Sequence, residues 1–186
     1  MKKEELLKRL QSKDHFILAI DGKCGSGKST LGEQLHQLLG GNLFHMDDFY
    51  LPIEKRTKER YAQPGGNVDY ERFLETVLFP LSQQKDVEYQ IMDCETLTLK
   101  EPIHIPYHQY NIIEGSYSLH PTLKSYYTDC VVLTISEEEQ LKRIQKRDPD
   151  TFHMFVEKWI PLENLYFDTF HVEKESIVLE NRNEKE

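Results

Sequence analysis

Short apolar runs alternate along the chain with longer stretches in which apolar residues recur at helical spacing. The first run, Phe16–Ile20, ends in Asp-Gly and has the continuous apolar character of a parallel strand buried on both faces. After a glycine-rich turn, leucines recur at helical spacing over residues 31–39, and the pair Gly40-Gly41 follows them. This order predicts a strand, a tight turn and a helix that ends at the glycine pair.

The same alternation continues towards the C-terminus. Further strands are predicted at Leu43–Met46, Val87–Met92, Asn111–Glu114, Cys130–Ile135 and Ser176–Leu179. Helices are predicted over residues 1–11, 70–79, 137–147 and 151–168. Because strands and helices alternate, we expect an α/β fold in which helices cover both faces of a mainly parallel sheet.

Length and composition are those of a single globular domain. The sequence has 186 residues, of which 38% are hydrophobic and 30% are charged, and no repeat or Gly/Ser linker divides it. We therefore treat residues 1–186 as a single domain, with a charged tail expected after Glu180.

Charge and cysteine usage exclude several classes of partner and compartment. The formal net charge of −9 would repel a polyanion, so nucleic acid is not expected as a partner. No apolar run reaches the length of a membrane span, and no membrane association is expected. The three cysteines are widely spaced and form no CxxC pair, which indicates a reducing compartment and predicts a cytoplasmic protein.

The turn after the first strand carries the strongest motif in the sequence. Residues 22–29 fit G-x-x-x-x-G-K-[ST] and lie between a predicted strand and a predicted helix, which is the context that a phosphate-binding loop requires. Glycines let backbone N–H groups approach phosphate oxygens, and the helix N-terminus adds positive potential. The candidate nucleotide-binding residues are Gly22, Lys23, Cys24, Gly25, Ser26, Gly27, Lys28, Ser29 and Thr30.

Three residues of this loop have distinct expected roles. Lys28 is predicted to offset the charge of the β- and γ-phosphates during catalysis, and Thr30 to reach the α-phosphate. The Ser29 hydroxyl is predicted to bind Mg²⁺, which in proteins takes a few oxygen ligands together with waters and phosphates. The loop thus predicts a bound nucleoside triphosphate with Mg²⁺ as cofactor.

Two acids follow predicted strands, at the sheet edge where ligands bind in open α/β folds. Asp47, in His45-Met-Asp-Asp-Phe-Tyr50, is the candidate to accept the proton of an acceptor hydroxyl or to hold that hydroxyl in line. Glu114 directly follows an apolar run and is the candidate to hold Mg²⁺, directly or through water, beside Ser29.

Two arginines share one face of a predicted helix near residue 145. Arg143 and Arg147 lie four residues apart, which places them on the same side of a helix. The planar guanidinium suits phosphate oxygens. We therefore predict that both arginines close over the phosphates and stabilise the transferring group.

With these segments in this order, the chain resembles the uridine kinase family of P-loop kinases, which is related to phosphoribulokinase and bacterial pantothenate kinase. The resemblance spans residues 14–180 and rests on the segments GKCGSGKST, MDDFYLP, GGNVDYERF, IIEGSYSLHP and RIQKRD. It implies a three-layer α/β/α fold with a mainly parallel five-stranded sheet and a short helical lid near residues 140–160. It also implies a catalytic Asp47, a magnesium-associated Glu114 and lid arginines at positions 143 and 147.

The resemblance implies phosphoryl transfer from ATP to a hydroxyl of a small molecule, with a nucleoside as the leading acceptor. Ala62 stands where the family has a ribose-binding aspartate, so a kinase for pantothenate, nicotinamide riboside or a sugar acid is an alternative. A non-catalytic nucleotide-binding regulatory protein is a second alternative. The candidate acceptor-binding residues are Asp47, Tyr50, Tyr61, Asp69 and Asp93.

Overall fold

The computed structural model of the protein describes residues 1–180, so the predicted tail after Glu180 lies outside the described residues. The strands, in chain order, are β1 (Phe16–Gly22), β2 (Asn42–His45), β3 (Val87–Tyr89), β4 (Met92–Asp93), β5 (Thr98–Leu99), β6 (Ile103–Ile105), β7 (Tyr110–Glu114), β8 (Asp129–Thr134) and β9 (Ile177–Glu180).

Helices lie between successive strands of the chain at β1–β2, β2–β3, β7–β8 and β8–β9, whereas β3 to β7 follow one another without a helix. In chain order the helices are α1 (Lys3–Gln11), α2 (Lys28–Leu39), α3 (Lys58–Tyr61), α4 (Tyr70–Phe73), α5 (Phe79–Ser82), α6 (Pro121–Lys124), α7 (Glu137–Arg147), α8 (Phe152–Met154) and α9 (Ile160–Phe170). Short 3₁₀ turns lie at Met46–Phe49, Ile53–Lys55 and Val172–Glu175.

Five strands form the central sheet, in the order β2-β7-β1-β8-β9, and every pairing in it is parallel. Alternate residues of β1 face opposite layers. Ile17 and Ala19 contribute to a core that includes residues of α4 and α9, whereas Leu18 and Ile20 contribute to a core that includes residues of α1 and α2. The protein is therefore a three-layer α/β/α structure, which confirms the predicted fold class.

Two predicted helices are continuous but contain a wider turn. A π turn at Leu74–Leu78 joins α4 to α5, and another at Phe155–Trp159 joins α8 to α9. Each π turn is followed two residues later by a proline, Pro80 or Pro161. Proline has no backbone N–H and its ring collides with the carbonyl four residues earlier, so the helix widens at that point.

The predicted strand at Val87–Met92 does not join the central sheet. Val87–Tyr89 forms β3 and pairs antiparallel with β6, and Met92–Asp93 forms β4 in a small hairpin with β5. The exposure of β3 alternates along its length, with Glu88 exposed between two buried neighbours. Such a strand has one face towards solvent, whereas a central parallel strand is buried on both faces.

No helix within residues 1–180 is long and apolar enough to cross a membrane.

Candidate active site

The motif at residues 22–29 forms a tight loop between the carboxyl end of β1 and the first turn of α2. Gly22 has a φ of 149°, and a Cβ there would lie 2.5 Å from the carbonyl oxygen of Leu133 on the neighbouring strand. Gly27, with a φ of 94°, precedes the first residue of α2. Only glycine fits the close approach of the Gly22 backbone to the neighbouring strand.

Backbone N–H groups of this loop are available as hydrogen-bond donors. Those of Gly25, Gly27 and Lys28 have no hydrogen-bond partner among residues 1–180. They lie at the N-terminus of α2, where the helix dipole adds positive potential. Such an arrangement of donors is an anion-binding site of the kind that holds phosphate.

The lysine of the motif lies inside the loop. Lys28 is buried, with 8% of its surface exposed, and its Nζ donates to the carbonyl oxygen of Lys23 at 3.1 Å. A carbonyl is a weak partner for an ammonium group, because it carries no formal charge to balance it. An anion bound in the loop would supply that charge.

Glu114 ends β7 and brings two other side chains together. Its Oε2 accepts a hydrogen bond from the Ser29 hydroxyl at 3.1 Å, and its Oε1 lies 2.6 Å from Nδ1 of His45. The pairing of β2 with β7 places His45 directly opposite Glu114. The hydrogen bond that His45 makes to the Glu114 carboxylate is the main factor that raises the pKa of His45 above its usual value.

The Ser29–Glu114 pair has the chemistry of a magnesium site. Mg²⁺ prefers oxygen ligands at about 2.1 Å in an octahedron, so adjacent ligand oxygens lie about 3.0 Å apart. The observed separation of 3.1 Å between Ser29 Oγ and Glu114 Oε2 fits that requirement. The donor set predicted from the sequence is therefore assembled at the mouth of the loop.

Asp47 lies in the 3₁₀ turn that follows β2, at the same sheet edge as Glu114. Asp47 is exposed by surface area, yet desolvation by the surrounding protein is the largest cause of its raised pKa. The charge of Lys28 lowers that pKa, whereas the negative charges of Glu114, Glu163 and Asp48 raise it further. Asp47 thus lies within electrostatic reach of the loop lysine.

Helix α7 brings one of its two predicted arginines to the loop. Arg143 donates through its NH1 group to the carbonyl oxygen of Gly25 at 3.1 Å, and its Nε donates to Glu139 at 2.7 Å. Arg147 instead pairs with Asp148 at 2.5 Å at the C-terminal end of the helix, with 57% of its side chain exposed. The structure therefore places Arg143 at the loop and leaves Arg147 at the surface.

Comparison with solved structures identifies the fold. A possible uridine kinase from Bacillus stearothermophilus is 22% identical, with a TM-score of 0.73, over 95% of this chain and 96% of that chain. A candidate fructose transport system kinase from Silicibacter sp. TM1040 is 24% identical, with a TM-score of 0.64, over 81% of this chain and 82% of that chain. The chain has the P-loop kinase fold.

A third similar structure shows how far sequence diverges within this fold. YFH7 from Saccharomyces cerevisiae, a candidate P-loop kinase with a circular permutation, is 11% identical, with a TM-score of 0.66, over 97% of this chain and 98% of that chain. Neither the known protein families nor the curated protein sequences contain a match to this sequence.

In this P-loop kinase fold, two of the predicted acceptor-binding residues lie beside an aromatic cluster. The rings of Tyr50 and Trp159 have centroids 6.2 Å apart. The ammonium of Lys158 lies 4.9 Å from the ring centroid of Tyr61 and 4.7 Å from that of Trp159. Tyr50 and Tyr61 are therefore linked through residues at the junction of α8 and α9.

The other two predicted acceptor-binding acids have local partners. Asp69 is 1% exposed, accepts a hydrogen bond from the backbone N–H of Arg72 at the start of α4, and pairs with Lys55 at 3.0 Å. Asp93 accepts hydrogen bonds from the backbone N–H groups of Glu95 and Thr96, and so closes the β4–β5 turn. Both carboxylates stabilise the segments in which they lie.

Sequence reasoning missed two buried acids, Asp21 and Glu163, that accept hydrogen bonds from the backbone of the phosphate loop. Asp21 is fully buried and accepts hydrogen bonds from three backbone N–H groups and from the Tyr166 hydroxyl, the latter at 2.8 Å. Glu163 accepts from the backbone N–H of Cys24 through both carboxylate oxygens. A signal for Glu163 was present, because it lies midway between Ile160 and Tyr166 on the stripe of α9 that is buried at helical spacing.

Proposed function

We propose that the protein is a kinase that transfers the γ-phosphoryl group of Mg·ATP to a hydroxyl of a small molecule, with a nucleoside as the leading acceptor. The observation that carries the proposal is the convergence of three features at one sheet edge. These are the N–H donors of the phosphate loop, the Ser29–Glu114 oxygen pair and the carboxyl of Asp47. Phosphoryl transfer depends on such positioning more than on covalent chemistry.

Each residue has a specific role in this proposal. The loop N–H groups and Lys28 bind the β- and γ-phosphates, and Arg143 adds positive charge from α7. Ser29 and Glu114 hold the magnesium ion, which, when bound, neutralises charge on the phosphates. Asp47 orients the acceptor hydroxyl and accepts its proton. Arg147 belongs to the proposed lid of residues 140–160, whose closure would bring it nearer to the phosphates.

The acceptor pocket is proposed to lie between Asp47 and the aromatic cluster of Tyr50, Tyr61 and Trp159. Aromatic faces stack on planar rings such as nucleobases, which favours a nucleoside. A second acceptor class is favoured by Asp69, since its buried ion pair with Lys55 would have to break before it could bind a ribose hydroxyl. An alcohol without a ribose, such as pantothenate or a sugar acid, does not require that change.

The free thiols of the three cysteines support a reducing, cytoplasmic setting.

The decisive experiment measures ADP formation from Mg·ATP with a panel of acceptors. The panel contains nucleosides, nicotinamide riboside, pantothenate and sugar acids. We expect at least one acceptor to support turnover, and Asp47→Asn to lower kcat by about 100-fold or more, because proton acceptance alone contributes about 10²–10⁴-fold. Asp48→Asn is the matched control, since Asp48 accepts a hydrogen bond from Tyr89 at 2.6 Å and has no proposed catalytic role.

Two results would contradict this proposal in different ways. If the protein binds Mg·ATP but forms no ADP above background with any acceptor on the panel, the result favours the non-catalytic regulatory alternative. If Asp47→Asn retains the full kcat, Asp47 is not the acceptor-orienting residue. Nucleotide binding is measured separately by calorimetry, with Lys28→Ala as the variant that should lose it.

A further inference from the structure

Helix α9 contacts the phosphate loop through a buried carboxylate that the proposed reaction does not use. Glu163 is 4% exposed, and its two carboxylate oxygens lie 2.9 and 3.0 Å from the backbone nitrogen of Cys24, which donates to both. Cys24 is the third residue of the motif, directly before Gly25. The carboxylate therefore fixes the direction of an N–H group within the loop itself.

Two other elements also donate to this carboxylate. The Ser116 hydroxyl, from the turn after β7, donates to Oε1 at 2.8 Å, and the Gln140 side-chain amide, from α7, donates to Oε2 at 3.3 Å. None of the cationic side chains within residues 1–180 forms an ion pair with Glu163. A carboxylate buried without a cation is costly unless several donors satisfy it. An apolar residue at this position would fill the same space without that cost.

Gln140 holds the other side of the same peptide segment. Its Nε2 also donates to the carbonyl oxygen of Cys24 at 3.1 Å. The carbonyl of Cys24 and the N–H of Gly25 belong to one peptide unit, which is planar and trans, so they point in opposite directions. By fixing the Cys24 carbonyl, Gln140 aims the Gly25 N–H, which is one of the donors available for phosphate.

We propose that Glu163 and Gln140 are positioning residues that together aim the Gly25 N–H at the bound nucleotide and join the loop to helix α7. The inference rests on the proposed function, because it assumes that the loop binds a nucleotide. Glu163 fixes the N–H of Cys24 and Gln140 fixes its carbonyl. Losing the Gln140 contact frees the Cys24–Gly25 peptide to rotate. Losing Glu163 frees the preceding Lys23–Cys24 peptide and removes an acceptor that holds the Gln140 amide. Either change misdirects the Gly25 N–H and weakens nucleotide binding, although neither side chain touches the nucleotide.

Calorimetry with Mg·ATP in the absence of acceptor tests the proposal on the full chain. We expect Glu163→Ala to weaken binding about tenfold or more, since a hydrogen bond to a charged group is strong and its buried partner is left unsatisfied. Glu163→Gln keeps an oxygen for the N–H of Cys24 and for Ser116 but turns an amide –NH₂ towards the Gln140 donor, so it should weaken binding less than Glu163→Ala does. Asp168→Ala is the matched control, because Asp168 is an exposed acid on α9 outside the proposed lid, and the affinity of this variant should not change.

A merely structural role predicts a different pattern. It would lower the melting temperature and the fraction of active protein, which calorimetry reports as stoichiometry, and leave the affinity of each folded molecule unchanged. Unaltered affinity in both Glu163→Ala and Gln140→Ala would overturn the proposal. If Glu163→Ala does not fold, Gln140→Ala decides alone, since it leaves Glu163 in place. Absence of Mg·ATP binding by the original chain would instead refute the proposed function, and this inference with it.

Discussion

Replacing Gly115 by alanine should disturb the site through the residue that precedes Asp47. Gly115 follows Glu114, has a φ of 140°, and a Cβ there would lie 2.6 Å from Cβ of Met46 and 3.2 Å from its backbone nitrogen. Met46 is fully buried, so it cannot move outward into solvent. The glycine-only backbone conformation costs about 1–3 kcal/mol, and overpacking adds about 1–3 kcal/mol. The expected loss in the free energy of unfolding is about 2–6 kcal/mol.

Gly40→Ala provides the matched control for this substitution. Gly40 also has a positive φ, 73°, but a Cβ there would meet nothing within 4 Å, so only the backbone cost applies. Urea denaturation should show Gly115→Ala as the less stable of the two by about 1–3 kcal/mol. Gly115→Ala should also lower kcat, because a shift of about 1 Å in a positioned group can cost about 100-fold. Equal stability losses in the two variants, with unaltered turnover in both, would refute the reasoning.

Three further predictions concern the charged groups of the site. Asp21→Asn should lower the free energy of unfolding by about 2–4 kcal/mol in urea titrations. The new amide –NH₂ would face an N–H or O–H group that now donates to the carboxylate, so two donors would meet without an acceptor. Burial raises the pKa of Asp21 from 3.8 to about 6. Because the folded protein holds this proton more tightly than the unfolded chain does, the stability of the original chain should fall as pH rises between about 4 and 6. The Asp21→Asn variant should not show this fall. The raised pKa of Asp47 predicts that kcat/KM falls on acidification with a midpoint above 3.8, and Asp48→Asn, which removes a neighbouring negative charge, should move that midpoint lower. Glu114→Gln should raise the magnesium concentration needed for half-maximal nucleotide binding at least about tenfold, and an unchanged magnesium titration would exclude Glu114 from the metal site.

Local patterns were sufficient to predict where the loop and the two candidate acids lie in the fold. Residues 22–29, Asp47 and Glu114 each lie at the end of a strand whose apolar run is visible in the sequence, and parallel strands bring their carboxyl ends to one edge. The parallel central sheet followed from the same alternation. The pattern did not show that β3 lies outside the central sheet. A strand of three residues is too short for the alternation of buried and exposed positions to be recognised in the sequence.

The acceptor-binding acids could not be assigned from position alone. Asp69 and Asp93 lie in segments that resemble substrate-binding regions, yet each carboxylate already accepts hydrogen bonds from backbone N–H groups a few residues later in the chain. Aspartate is common at helix starts and in turns, where its role is structural, and it is also common in active sites. A sequence motif does not separate these uses, because the partners of a carboxylate depend on local backbone geometry.

The contacts of Glu163 and Gln140 with the phosphate loop could not be predicted from any short segment of the sequence. Glu163 lies 139 residues from Cys24 in sequence, and Gln140 lies 116 residues from the same residue, so no window of the chain contains both sides of either contact. The sequence does, however, place a single acid on a helical stripe that is otherwise apolar. An acid at such a position must find several donors in the interior or destabilise the fold. The nearest dense supply of unsatisfied donors in an α/β fold is a glycine-rich loop at a helix N-terminus, so a buried acid of this kind in a P-loop kinase fold is itself a reason to search for its partner in the loop.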